Sequence, residues 1–315
     1  MGMFHVAGGQ QAQKNELKDI VLAGGALGLN WLPVHLALCT GIFEANGLRV
    51  SLKRTGSAEK AIAAVKAGEA DLAITPPEDA IVDNVAGGAM RILAGNVNRL
   101  PLSLIANPRF TRIEALKGKV LGTSSMTEGT AIYTREMLSR HGLDYPVDYQ
   151  ICVVDGHPAR WRALQEGKID AAVLPLNFVG VDAGFINLGE LSDYIPDIVY
   201  TAIVGDRRWA ATLREQITTL LAGLREATEF LYDSSSNALA RSIVMEVAQI
   251  DEHCGQRALD YMREKGVFAR SLEVPPVARG TTLDLMIKAS RLDASKRGLA
   301  ATTFDESFIE TKIAA

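Results

Sequence analysis

Two short stretches carry residues suited to holding an anion. In "RTGSAEK", Gly56 and Ser57 stand at a predicted helix start; in "TSSMTEGT", Ser124, Ser125 and Thr127 stand at another. A helix start offers free N–H groups and positive partial charge, which can hold a carboxylate, sulfonate or phosphonate. Ordinary N-capping is the competing reading for each residue taken singly. Asn30 offers a ligand its amide, or the following helix a cap. Trp31 offers a stacking face, or it fills core. Thr75 closes a strand. Glu78 and Glu128 each suit the first turn of a helix, or a contact to an amine or hydroxyl group. His157, just before a helix, is the histidine best set for a site, and His35 is second. No two histidines have zinc spacing.

Enzyme signatures are missing from the sequence. It has no G-x-S-x-G elbow, no P-loop and no H-E-x-x-H. Its three cysteines have neither CxxC nor metal spacing. Cys39 reads as part of an apolar helix face and Cys152 as part of an apolar strand, both as small buried hydrophobes. The expectation is a site without catalytic residue, metal or cofactor.

These residues need elements to carry them. The stretch from Ile20 to Phe43 is uncharged and long enough to suggest a membrane helix. Pro33 and the glycines at 24, 25 and 28 argue against a continuous helix. An export signal fits poorly, because "KNELKD" precedes the apolar run. The pattern predicts a buried strand over Asp19–Ala23, a glycine loop, then a helix with Leu32, Leu36, Cys39 and Phe43 on one face. Asn46-Gly47 ends that helix, and Met1–Gln13 reads as a disordered tail. Strand "LRVSLKR", a helix over about Ser57–Ala67, strand "DLAIT" and a helix in "PPEDAIVDNVAGG" follow. Such alternation predicts parallel sheets.

The chain also echoes itself. Residues 64–76, "AVKAGEADLAITP", and 163–175, "ALQEGKIDAAVLP", fit one pattern, with Gly167 lying 99 residues beyond Gly68. Val21-Leu22 and Val120-Leu121 keep the same offset, each opening a strand that runs into a loop rich in glycine or serine. Two similar lobes are expected. Beyond Asp206 the pattern is helical and packs back on the first lobe. The predicted organisation is a tail over 1–17, a first lobe over 18–103 plus 201–315, and an inserted second lobe over 104–200. The crossings fall near Leu102–Pro108 and Asp197–Val204. The net charge of -4 gives no reason to expect nucleic acid as a partner.

"LPVHLALCTGIFEANGLRVSL", "GSAEKAIAAVKAGEADLAITPPEDAI", "LKGKVLG", "ALQEGKIDAAVLP" and the terminal "FDESFI" resemble the SsuA/NMT1/THI5-like branch of type II periplasmic solute-binding proteins. The resemblance covers roughly Lys18–Ile309. It implies an α/β fold of two lobes, each a mainly parallel sheet flanked by helices, with the ligand cleft between them. It implies a contact at Trp31, and another at Asn177 after "VLPL". Strand ends at Gly25–Trp31, Thr55–Ser57, Thr75–Glu78, Thr123–Glu128 and Pro175–Asn177 would form the cleft. The function it implies is capture of a small organic anion (sulfonate, carboxylate or aromatic acid) by lobe closure and delivery to an ABC transporter permease. The protein would be a periplasmic monomer whose export signal has been removed. A few members of the family are enzymes, so a cytoplasmic lyase or decarboxylase on the same fold is the alternative.

Overall fold

The computed structural model describes residues 17–26, 28–126, 129–154, 156–175 and 184–309. Strands β1 (Lys18–Gly24), β2 (Leu48–Arg54), β3 (Leu72–Thr75) and β4 (Met90–Val97) come first. Then follow β5 (Ser103–Ala106), β6 (Val120–Thr123), β7 (Gln150–Val153), β8 (Ala171–Leu174) and β9 (Ile186–Glu190). β10 (Thr201–Asp206) closes the series.

The strands form two five-stranded sheets, in the orders β2-β1-β3-β10-β4 and β7-β6-β8-β5-β9. The two orders are the same design: a parallel trio, then one antiparallel strand, then an outer strand. The antiparallel members, β10 and β5, are the strands that the chain enters directly after changing sheets. Residues 98–102 carry it out and 195–200 carry it back. The outward crossing lies earlier than the predicted Leu102–Pro108, because Ser103–Ala106 is already sheet.

The punctuation of the sequence sets these elements. Ser57 caps the helix Ala58–Lys66 by accepting from Lys60 N at 3.2 Å. Ala61, Ile62, Ala64 and Val65 are that helix's buried face. β4 is an outer strand, yet all eight of its residues are buried. The segments at Phe268 and Phe304 bridge to it at Val97 and Ile92, so its free edge is covered.

The helices after Asp206 pack mainly on the first sheet. Leu220, Leu224, Leu259 and Met262 join Ile20, Leu22 and Leu72 in one core, while Ala278, Leu283 and Met286 join Ala73 and Ile92 in another. Each of these leucines, isoleucines and methionines withdrawn from water contributes about 1.5–3 kcal/mol, and each alanine less. The helix Pro276–Lys288 also reaches the second lobe. Leu285 lies in that lobe's core, and Lys288 Nζ meets Glu136 Oε2 at 2.6 Å.

Two expectations are corrected. Cys39 is exposed, not on a buried face. The helix Leu32–Cys39 stops there, and Gly41 intervenes before Ile42–Ala45, so the predicted stripe breaks before Phe43. Cys152 is only half-buried, because β7 is an outer strand. No helix among the described residues is long and apolar enough to cross a membrane.

Candidate functional site

A cavity of about 680 Å³ lies between the lobes. Pro101, Leu102 and Tyr200, all in or beside the crossing segments, line it.

The first lobe contributes the loop after β1. Gly24 ends that strand with φ +149°, and a Cβ there would lie 2.4 Å from the Trp31 ring and 2.6 Å from Ile74 O. Glycine therefore lets the indole pack across the strand end. Gly25, Gly28, Leu29 and Asn30 then reach the cavity. Asn96 Nδ2 donates to Asn30 O at 2.9 Å and to Thr201 Oγ1 at 3.0 Å, tying this loop to the sheet. Gly56 lines the cavity just before the helix Ala58–Lys66.

The second lobe faces it with Gly156, His157, Pro158 and Pro175. Gly156 is the N-cap of the helix His157–Gln165 and supplies no side chain to satisfy the free N–H groups. By strand order, β7 is the counterpart of β2, so Gly156 is the true counterpart of Gly56. Ser124 and Ser125 do not stand at a helix start as expected, since the helix after β6 runs over Thr130–Ser139 with Gly129 as its N-cap. Ser124 N donates instead to Thr130 Oγ1 at 2.8 Å, and Ser125 O accepts from Thr123 Oγ1 at 2.5 Å.

Among the predicted residues, Asn30, Gly56 and His157 line the cavity; Trp31, Ser57, Thr75, Glu78, Ser124 and Ser125 do not. Trp31 is 1% exposed and belongs to the first lobe's core, so the expected stacking role gives way to packing. The Ser57 oxygen accepts the capping bond from Lys60 N. Thr75 is buried on β3, and its hydroxyl finds no partner among the described residues. Glu78 is buried close enough to Tyr133 and Tyr200 for its charge to raise both phenols, after the larger effect of burial. Thr127, Glu128 and Asn177 lie outside the described residues.

His157 opens partly onto the cavity. Burial pushes its imidazole down to about 3, and Arg160 acts in the same direction. The ring is therefore neutral at ordinary pH and available as a hydrogen-bonding group. His35 is bound elsewhere, with Nε2 3.1 Å from Ala26 O.

A third wall escaped the sequence reading. Cys254, Ala258 and Tyr261 present one stripe of the helix Glu252–Glu264 to the cavity. Val247–Gln249 and Val267-Phe268 extend this wall on either side. The i, i+4, i+7 spacing was visible, but it reads equally as a core-facing stripe. Tyr261 Oη donates to Glu190 Oε2 at 3.3 Å, and Lys265 Nζ meets the same oxygen at 3.0 Å. This wall is thereby bound to β9 of the second lobe. Among the described residues, no group of three or more His, Cys, Asp or Glu side chains is arranged to hold a metal.

The family described as NMT1/THI5 like matches residues 29–238, two thirds of the chain. The chain belongs to the NMT1/THI5-like family. No curated protein matches its sequence. Solved structures match over almost its whole length. The nitrate-binding protein NrtA of Synechocystis shares 15% identity at a TM-score of 0.76, covering 93% of this chain and 87% of its own. The aliphatic sulphonate binding protein SsuA of Escherichia coli shares 16% at 0.70, covering 93% and 97%. The alkanesulfonate-binding protein SsuA of Xanthomonas axonopodis, bound to MOPS, shares 15% at 0.70, covering 93% and 99%. Identities this low carry the fold alone. This NMT1/THI5-like chain thus has the two-lobed fold of periplasmic binding proteins, with its cavity between the lobes.

Proposed function

We propose that this protein is a non-catalytic solute-binding protein. It captures a small organic anion by closure of its lobes and delivers it to an ABC transporter permease outside the cytoplasm, acting as a monomer. The observation that carries this reading is the interlobe cavity itself, walled by both lobes and by both crossing segments. A ligand touching all of them is gripped fully only when the lobes close. The helix starts behind Gly56 and Gly156 favour an anionic group, since both residues line the cavity and a helix N-terminus carries positive partial charge. The binding-protein names of its structural neighbours point the same way.

Catalysis is disfavoured by the state of the groups at hand. The Cys254 thiol is pushed up by burial and then by Asp251, so it stays protonated and poorly nucleophilic. The test is direct. Organic acids are titrated by calorimetry with small-angle scattering in parallel, and the mixtures are searched for product. Saturable binding with compaction and an unchanged ligand supports capture. Turnover of the acid overturns it.

A further inference from the structure

We propose that the cavity takes a bulky organic acid with an aromatic or polycyclic body, and that the Val247–Phe268 wall sets its size. The inference rests on the solute-binding reading. Sites of roughly 300–1,000 Å³ enclose drug-sized molecules, and this cavity is about 680 Å³. Nitrate or methanesulfonate would occupy a small corner of it.

The wall chemistry agrees with the size. A small oxyanion gives up most of its hydration on binding and needs polar partners on nearly every side. Among the described residues, this cavity gathers its donors at a few points, the glycine-preceded helix starts, Asn30 and Arg257, not on every side. Elsewhere its described lining combines Leu29, Leu102, Ala258, Met262 and Phe268 with one polar stretch, Arg257, Asp260 and Glu264, along the edge of the third wall. Tyr200, Tyr261 and Phe268 add ring faces suited to a flat apolar body. Tyr200 is pushed up to about 12 by burial, so its hydroxyl stays neutral, while the Tyr261 hydroxyl already donates to Glu190 and leaves its ring face for the ligand. Such surroundings suit a molecule that is charged at one end and apolar along most of its length.

The size limit falls on the third wall because its central residue is small. Ala258 lies between Cys254 and Tyr261 on the cavity-facing stripe and is 7% exposed. Ala258 borders both the cavity and the first lobe's core, so a larger side chain there would take space at this edge, on a different element from the helix starts at Gly56 and Gly156. Ala248, half-buried on the same wall, offers a second and more open position.

The experiment is calorimetric titration of the full chain with nitrate, methanesulfonate, naphthalenesulfonate and biphenylcarboxylate. It is repeated on Ala258→Phe and Ala248→Leu, each first checked by thermal melting. The expected result is saturable binding of at least one aromatic acid, tighter than either small anion. Each variant should weaken it by about tenfold or more, the scale on which apolar pockets discriminate by size. Ala248→Leu keeps the test valid if Ala258→Phe does not fold. Nitrate or methanesulfonate binding as tightly as the aromatic acids overturns this inference and leaves solute capture standing. Aromatic binding unchanged in the folded variants overturns the role of this wall. Absence of binding by every compound removes this inference together with the anion-capture reading.

Discussion

Asp71 and Asp170 hold the same post in the two lobes. Asp71 Oδ2 accepts the backbone N–H of Val21 at 2.7 Å, and Asp170 Oδ2 accepts that of Val120 at 3.0 Å. Each aspartate also donates its own N–H to that valine's carbonyl, at 3.0 Å and 2.7 Å. The aspartate of the repeated Gly-x-x-Asp thus clamps the first strand of its trio to the third.

Removing either clamp should destabilise the fold. Asp71→Ala strips a charge-assisted acceptor from a backbone donor, a loss of about 1–3 kcal/mol. Asp170→Ala should cost slightly more, since Asp170 also pairs with Arg109. Most of that pair's arginine is exposed, so the addition is below about 1 kcal/mol. Calorimetric melting measures both. An unchanged Tm for either variant contradicts the clamp.

Gly24→Ala should disturb the site through Trp31. The new methyl would overlap both the indole and Ile74 O, and one of these is fixed backbone. Overpacking of this kind costs about 1–3 kcal/mol. Gly56→Ala meets no neighbour within 4 Å, although its φ of +77° is also unfavourable to alanine. Gly24→Ala should therefore lower Tm more than Gly56→Ala and should change the tryptophan near-ultraviolet signal.

The sequence made the repeat legible because its glycines and aspartates do backbone work that few other residues can do. Trp31 was ambiguous because an aromatic beside a glycine loop suits both a ligand face and a strand end stripped of Cβ. The serines misled for a related reason. Ser57 and Ser125 look alike as helix-start residues, but only Ser57 caps a helix; the helix after Ser125 begins at Thr130. The Val247–Phe268 wall was invisible because a cavity-facing stripe and a core-facing stripe share one periodicity. Only the tertiary contact through Glu190 tells them apart.

His157 should make stability sensitive to acid. Its ordinary value is 6.5 and its folded value is about 3. Between those values the unfolded chain binds a proton that the folded chain refuses. The stabilisation is therefore complete above pH 6.5 and declines as pH falls toward 3. His157→Gln cannot take up that proton in either state. The difference in Tm between wild type and His157→Gln should shift against wild type across this window. A constant difference contradicts the burial of a neutral ring.

Glu190 should govern how easily the lobes separate. It belongs to β9 of the second lobe, while Tyr261 and Lys265 ride on the helical layer of the first. Glu190→Gln removes the ion pair but keeps an acceptor for Tyr261; Glu190→Ala removes both. The radius of gyration without ligand should rise from wild type through Gln to Ala. Added salt should narrow the gap between wild type and Gln, since Lys265 is 38% exposed. Identical scattering from all three proteins would show that the contact does not restrain the lobes.

Pro158→Asp should block anion capture without harming the fold. Pro158 is exposed on the cavity side of the helix His157–Gln165, in its first turn. A carboxylate there is favoured by the helix dipole, typically by about 0.3–1 kcal/mol, which offsets the loss of proline's fixed φ. It would also occupy the positive end that a ligand anion requires, and like charges would then repel. A ligand at a hundredfold excess over its Kd stabilises the native state by about 2.7 kcal/mol. That gain should appear as a raised Tm in wild type and vanish in Pro158→Asp, while the two ligand-free proteins melt together. Pro158→Asn separates charge from shape and should retain most of the gain. If Pro158→Asp responds to an acid as wild type does, the anion is not held at this helix start, and Gly56 becomes the position to test.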